Sequence, residues 1–257
     1  MEIEMPIQTP KQIKAAFERD GYVAIRSFLN PLQTDAIRRR MDEYVKDVVP
    51  NLPDKHKFYE DKNRPETLKQ LQDLSNHDPY FGRMFFSDEF VGLAELLLNG
   101  PVQGSNLQWF NKPAQVGSPT PPHQDGYYFM LDPNEAVTMW LALDEVDEEN
   151  GCVRYLPGSH KRGIRPHSRT TTLGFSQGIS DYGDEDRTAE VAIHAQPGDL
   201  LVHHSLTVHR ANGNTSTTRS RMALGFVYYS RYAREDTERK LEYQKKLSAE
   251  LTAAGKL

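Results

Sequence analysis

Apolar positions along this 257-residue chain follow two periods, and the change falls near Pro101. In residues 10–20, Ile13, Ala16 and Phe17 share one helical face. Gly21 ends that helix, and "YVAIRSFL" follows as a strand rich in β-branched and aromatic residues. Pro31 opens a better helix over 31–48, where Leu32, Ala36, Ile37, Met41, Tyr44 and Val48 form an apolar stripe. Residues 50–66, with Pro50, Pro53 and many charges, read as loop. A third helix is predicted from Ser87, an N-cap followed by Asp88 and Glu89, to Gly100. Beyond Pro101 come short strand-like runs: "VQGSNLQWFNK", "AVTMWLAL", "CVRYL", "EVAIHA", "DLLVHHSLTVH" and "RMALGFVYY". Turn pairs punctuate them, at Asn150-Gly151, Pro157-Gly158 and Pro197-Gly198. Residues 235–253 return to a charged helical pattern.

Helices, then many strands, then one helix is not a βαβ alternation, so a parallel sheet is not expected. The pattern predicts a mainly β fold with a helical layer, built as a double-sheet antiparallel barrel of the jelly-roll kind. The helices need the sheet to bury their stripes, so residues 1–257 read as a single domain. Within it, 1–100 is a mostly helical support layer, 101–230 the barrel core and 231–257 a C-terminal helix. The length allows a sizeable core.

Charge and composition narrow the functions. Lys+Arg 31 against Asp+Glu 36 gives a net charge of −5, a poor match to the basic stripe of nucleic-acid binders. Cys152 is the single cysteine, which excludes a disulfide framework and a cysteine-based zinc site. The N-terminus lacks the basic and apolar regions of a signal peptide, and "LAELLL" is far too short to span a bilayer. A cytoplasmic protein with no membrane partner, monomeric or homodimeric, is expected.

The candidate chemistry lies in "PPHQDGYYF", residues 121–129. On a strand, His123 and Asp125 two positions apart point to the same side and can both face a barrel interior. His160, His167, His194, His203, His204 and His209 follow in the second half. Two imidazoles and one carboxylate form the facial arrangement of non-haem iron(II) oxygenases. Zinc or manganese also accepts three such ligands, and a lone H-x-D is equally a hydrogen-bonded surface pair.

Residues 197–224, "PGDLLVHHSLTVHRANGNTSTTRSRMAL", and residues 140–163, "WLALDEVDEENGCVRYLPGSHKRG", add a distal His209 and a following arginine pair. With H-Q-D ahead of them, the chain resembles the phytanoyl-CoA dioxygenase family of Fe(II)/2-oxoglutarate-dependent oxygenases. The likeness runs from "RDGYVAIRSFL" through most of the chain, leaving out the extreme ends and the 50–80 stretch.

That resemblance implies a double-stranded β-helix, a cupin-like jelly roll, holding Fe(II) by His123, Asp125 and His209. It implies 2-oxoglutarate and O2 as co-substrates, with ascorbate as reductant in vitro, and release of succinate and CO2. The far carboxylate of 2-oxoglutarate would meet Arg221, or Arg219 if the hairpin register differs. Trp140 would line the co-substrate pocket, with Gln108 and Lys112 as polar contacts. Because Asp125 stands where halogenating relatives have a small residue, hydroxylation or another oxidation of a small molecule is expected. Tyr127 and Tyr128 are candidates for the substrate wall. The glycine-bearing stretch 165–189 reads as a lid, with His167 and Arg169 as substrate contacts. Lys161, Arg162, Arg165 and Arg169 make its entrance basic, which suits an anionic substrate, although a solvated charged loop has the same composition. His203 shares strand parity with His209 and reads as a packed or hydrogen-bonded histidine, with a place as the distal ligand as its alternative. Two other functions fit the same pattern: a non-catalytic cupin-type binding protein, and a zinc hydrolase on a jelly-roll scaffold.

Overall fold

The structure is a computed structural model, and it describes residues 8–170 and 177–253. Helix α1 (Pro10–Asp20) leads into strand β1 (Tyr22–Ile25), and α2 (Pro31–Asp47) follows. Both helices begin with the same device. Thr9 and Gln12, and again Asn30 and Gln33, exchange side-chain and backbone hydrogen bonds in a capping box, with proline at the first helical position. Gly21 closes α1 at φ +82, a left-handed position in which its N–H reaches the Phe17 carbonyl. Its own carbonyl accepts from the His204 N–H at 2.9 Å and the Thr207 hydroxyl at 2.7 Å, which joins the first helix to the barrel.

Next come β2 (Lys57–Tyr59), β3 (Leu68–Leu71), the short α3 (Leu74–His77), α4 (Pro79–Phe85), α5 (Asp88–Leu98) and the long β4 (Val102–Lys112). The second half holds β5 (Thr120–His123), α6 (Asp125–Phe129), β6 (Leu131–Asp132), β7 (Ala136–Ala142) and β8 (Val153–Tyr155). Then come β9 (His167–Arg169), β10 (Gln177–Ile179), α7 (Asp184–Ala189), β11 (Val191–Ile193), β12 (Leu200–His204) and β13 (His209–Ala211). The chain ends with β14 (Arg221–Ser230), β15 (Arg234–Glu235) and α8 (Thr237–Ala253).

A seven-stranded sheet, in the order β1-β12-β7-β14-β4-β3-β2, faces a four-stranded sheet, β11-β8-β13-β5. All pairings within the two are antiparallel, as the jelly-roll reading requires. The fold is a double-stranded β-helix. The expected boundary at residue 101 is corrected in one respect. The first hundred residues lend three strands to the large sheet, because β1 pairs with β12 and the β2–β3 hairpin pairs with β4.

The large sheet is buried on both faces, so all seven residues of β7 are buried and the strand shows no polar alternation. Along β14 the faces separate. Leu224, Phe226 and Tyr228 pack with Phe17, Ile37, Met41, Phe85 and Phe90 of the helical layer. Phe90 stacks on Phe226 at a ring separation of 4.1 Å. Ala223 turns inward with Trp140, Ala142, Tyr155 and Leu201. Small residues on the inner face leave room there for long polar side chains. Among the described residues no helix is long and apolar enough to cross a membrane.

Candidate metal centre

His123 is the last residue of β5, Gln124 is extended, and Asp125 is the first residue of α6. The H-x-D pair therefore straddles a strand-to-helix junction. The expectation that strand parity aligns the two is corrected: Asp125 reaches the centre from the first turn of a helix. His209 opens β13 and lies directly opposite His123 in the antiparallel pairing. One donor atom from each of His123, Asp125 and His209 lies within 4.8 Å of the other two. His123 Nε2 is 3.5 Å and His209 Nε2 is 3.8 Å from Asp125 Oδ1.

Local hydrogen bonds fix which atoms face inward. Nδ1–H of His123 donates to the Pro121 carbonyl at 2.8 Å, and Nδ1–H of His209 donates to that of Thr207 at 3.0 Å. A carbonyl only accepts, so Nδ1 of each ring carries a proton, and Nε2 is the atom turned toward Asp125. Asp125 divides its two oxygens. Oδ2 accepts from Thr138 Oγ1 at 2.6 Å and His203 Nε2 at 3.1 Å, while Oδ1 is left toward the imidazoles. The other nitrogen of His203 accepts from the Tyr155 hydroxyl at 3.1 Å. Thr138 and His203 of the large sheet thus orient the carboxylate, and Tyr155 of the small sheet holds His203.

Electrostatics agree with the ligating forms. Burial would raise the Asp125 carboxyl, but His209, His123 and His203 around it hold it well below the usual carboxylate range. Burial, with His123 and His203 beside it, pushes the His209 imidazole well below its usual value. An ionised carboxylate and a neutral imidazole are the states that bind a divalent metal. Gln124 is fully buried between them. Its Nε2 donates to the carbonyls of Gly163 at 2.9 Å and Leu206 at 2.7 Å, and its Oε1 accepts from Arg165 N–H at 2.8 Å. Sequence reasoning gave Gln124, Thr138 and Tyr155 no role. The only sequence signal was the middle letter of H-Q-D.

Further along the same inner face, Arg221 pairs across β14–β4 with Lys112, and both are 4 % exposed. Burial pushes the Arg221 guanidinium down to about 10. Burial, then Arg221 and Lys69, lowers the Lys112 ammonium well below its usual value. Arg221 lies 5.1 Å over the Trp140 ring, and its buried Nε has no hydrogen-bond partner. Lys112 donates to the Ser118 carbonyl and to Thr120 Oγ1. Trp140, Gly225 and Gln108 form one row across three strands, between the Thr138 row and Arg221. Gln108 accepts from Gln70 at 2.8 Å. Arg219 lies outside, held by Asp147 at 2.7 Å and Glu149 at 2.5 Å.

The stretch expected to be an irregular lid is partly ordered, and its residues 171–176 lie outside the described residues. β9 and β10 form a hairpin, followed by α7. The hairpin lies over the H-x-D strand: a side chain at Gly178 would touch Pro121 and the Pro122 carbonyl. His167 stacks on Tyr127 with ring centres 4.2 Å apart and accepts from Gln124 N–H at 3.3 Å. Tyr128 donates to the Gln177 carbonyl at 2.6 Å and sits edge-on to His123 with ring centres 6.2 Å apart. Arg169 is on the exposed side of β9. The basic entrance is smaller than expected, because Arg165 is engaged by Asp181 and Asp186.

Two sheets enclosing two imidazoles, a carboxylate and a buried arginine have the architecture of the double-stranded β-helix class. More particularly, the chain belongs to the phytanoyl-CoA dioxygenase family, whose model, phytanoyl-CoA dioxygenase (PhyH), matches residues 17–223. A phytanoyl-CoA dioxygenase of Arabidopsis thaliana is 29% identical over 244 residues, covering 81% of this chain and 84% of that protein. A probable alpha-ketoglutarate-dependent hypophosphite dioxygenase of Stutzerimonas stutzeri is 29% identical over 210 residues, covering 79% and 73%. Among solved structures, the non-haem alpha-ketoglutarate-dependent carbocyclase SnoK superposes with a TM-score of 0.70 at 25% identity, over 88% of this chain and 87% of that one. EctD from S. alaskensis, solved with 2-oxoglutarate and 5-hydroxyectoine, gives 0.71 at 19% identity over 90% and 79%, a likeness of fold.

Proposed function

We propose that this chain is an Fe(II)- and 2-oxoglutarate-dependent dioxygenase that hydroxylates or otherwise oxidises a small organic substrate, releasing succinate and CO2. The observation that carries the reading is one barrel interior holding two unlike groups: on the small sheet's side, two Nε2 atoms and one carboxylate oxygen held by outward hydrogen bonds, and on the large sheet, a buried guanidinium with an unpartnered Nε. In this reading His123, Asp125 and His209 hold the metal. Arg221 receives the far carboxylate of 2-oxoglutarate against the Trp140 ring. Lys112 adds positive potential from its place on Ser118 and Thr120, and Gln108 orients β3 rather than touching the ligand. Bound iron supplies the redox centre at which O2 is reduced as 2-oxoglutarate loses CO2.

The chain's own residues do the rest. Thr138 and His203 hold Asp125 so that one oxygen faces the metal. Trp140 excludes water beside the arginine. Tyr127, Tyr128 and His167 wall the substrate side under the β9–β10 hairpin. Lys161, Arg162 and Arg169 in the segment around it favour an anionic substrate. The helical layer and barrel act as one domain, since the helices of the layer bury their stripes on the large sheet, and the C-terminal helix follows β15.

The test is succinate release. Purified protein with Fe(II), 2-oxoglutarate, ascorbate and O2 should release succinate slowly without substrate and faster across a panel of small carboxylates and phosphonates. A binding protein would bind 2-oxoglutarate and release none. A zinc hydrolase would be active with zinc and indifferent to O2. Either result would displace the reading.

A further inference from the structure

A second group of metal-binding side chains lies outside the barrel. His56 ends the turn before β2, Asp73 follows β3, and His77 ends α3. Each can offer a donor atom within 4.8 Å of the other two. The imidazoles meet edge to face, with ring centres 5.1 Å apart. His56 Nδ1 and His77 Nε2 are both shielded from solvent and have no hydrogen-bond partner. Shielded polar atoms are nearly always paired, so two unpartnered imidazole nitrogens in one cluster with a carboxylate call for a partner.

Asp73 is held for that purpose. It adopts a left-handed backbone, φ 65 and ψ 32, a conformation that aspartate shares with asparagine. Its N–H donates to Asn106 Oδ1 at 3.0 Å, and its Oδ1 accepts from Asn76 Nδ2 at 2.6 Å. Oδ2 remains, 4.0 Å from His77 Nε2. That gap is too long for a hydrogen bond. Two donors at about 2.0–2.2 Å from a tetrahedral metal stand roughly 3.3–3.6 Å apart, so a small side-chain movement would let both reach one ion.

We propose that His56, Asp73 and His77 form a second divalent-cation site of the zinc type, with water completing the coordination, that clasps the base of the β2–β3 hairpin. The open end of this hairpin has His56 just before one strand and Asp73 beyond the other. Its tip carries Glu60, which accepts from the Ser118 N–H and hydroxyl at 2.8 Å each and from Lys69 at 3.1 Å. Ser118 in turn receives Lys112. A clasp at the base therefore steadies the element that braces the cationic end of the barrel. The site is independent of the function proposed above, and a failed succinate assay leaves it standing.

The test counts zinc on tag-free, full-length protein stripped with chelator and dialysed against Zn(II). Wild type should bind two equivalents. The His123→Ala/His209→Ala variant should keep one, and zinc at a hundredfold excess over its dissociation constant should raise that variant's melting temperature on the order of 5 °C. Adding Asp73→Asn, which tolerates the left-handed backbone, should weaken that remaining zinc at least tenfold and remove the rise. Co(II) in the same site should show ligand-field bands that Asp73→Asn shifts, a readout needing no turnover. Should His56→Ala/His77→Ala fail to fold, the Asp73→Asn comparison still decides. Loss of all zinc in His123→Ala/His209→Ala, or zinc there indifferent to Asp73→Asn, would overturn the site and assign the two nitrogens to water.

Discussion

The two ends of the barrel's inner face are built by opposite rules. At His123, Asp125 and His209, the protein bonds the atoms that face away from the centre: Pro121, Thr207, Thr138 and His203 each hold one. At Arg221 the protein supplies an aromatic wall and burial, and leaves the buried Nε unpaired. The first end has its outward atoms bonded and its inward atoms left toward one another. The second end is short of negative charge, because Arg221 and Lys112 face each other with only Asp144 acting on the one and Glu60 on the other through space. A pinned end suits a resident ion that must be held in one geometry. An end in electrostatic deficit suits a ligand that arrives and leaves carrying its own charge.

Substitutions can break this contrast in order of size. His123→Ala, Asp125→Ala and His209→Ala should each reduce succinate release to background while circular dichroism stays native. Near-normal turnover in any one would remove that residue from the ligand set. Arg221→Ala should weaken 2-oxoglutarate by about 10- to 150-fold, the loss of a charge-assisted bond of roughly 1.5–3 kcal/mol. Iron binding should be unchanged, measured by anaerobic titration. Arg221→Lys should restore part, because an ammonium lacks the planar fork, and Arg219→Ala should shift affinity only a few-fold. A larger loss in Arg219→Ala would move the carboxylate to the outer arginine.

Smaller effects sharpen the contrast instead. His203→Phe removes one of the two bonds to Asp125 Oδ2, and should weaken metal binding about 10- to 100-fold with little change in 2-oxoglutarate affinity measured at saturating metal. Equal losses in both would mean that the two ends are coupled. Tyr155→Phe deletes only the hydroxyl that His203 accepts from, worth about 0.5–1.5 kcal/mol, so metal affinity should fall only a few-fold. A Tyr155→Phe effect as large as that of His203→Phe would put the tyrosine itself at the centre.

Much of this was legible in the chain. β4 spans the run "VQGSNLQWFNK" to the residue, and α1, α2 and α5 end within two residues of their expected limits, because capping residues and period leave local marks. The β2–β3 hairpin was not legible. Its strands are three and four residues long and carry Lys57, Lys69 and Gln70, and they exist by pairing with β4. At the site, the ligand candidates stood out by residue type and order. Of their supports, His203 was legible as a packed or hydrogen-bonded histidine; that it bonds Asp125 was not, nor was Thr138, because they lie 78 and 13 positions from Asp125 and only the closing of one sheet over the other brings them to it. Strand parity set Asp125 beside His123 for another geometric reason than the one found, since a change from strand to helix at Gln124 also turns the next side chain inward.

For anyone building variant libraries of this protein, Gly21 sets an unexpected boundary. A β-carbon there would lie 2.4 Å from His160 Nδ1 and 2.5 Å from Thr207 Oγ1, on a backbone that ordinary side chains already resist. The surface of α1 is open to redesign, including its exposed Lys11 and Glu18. The residue that follows it is not. A scan for tolerated substitutions should therefore find a position outside the catalytic constellation as intolerant as the ligands, and a library that randomises the N-terminal region should hold this glycine fixed.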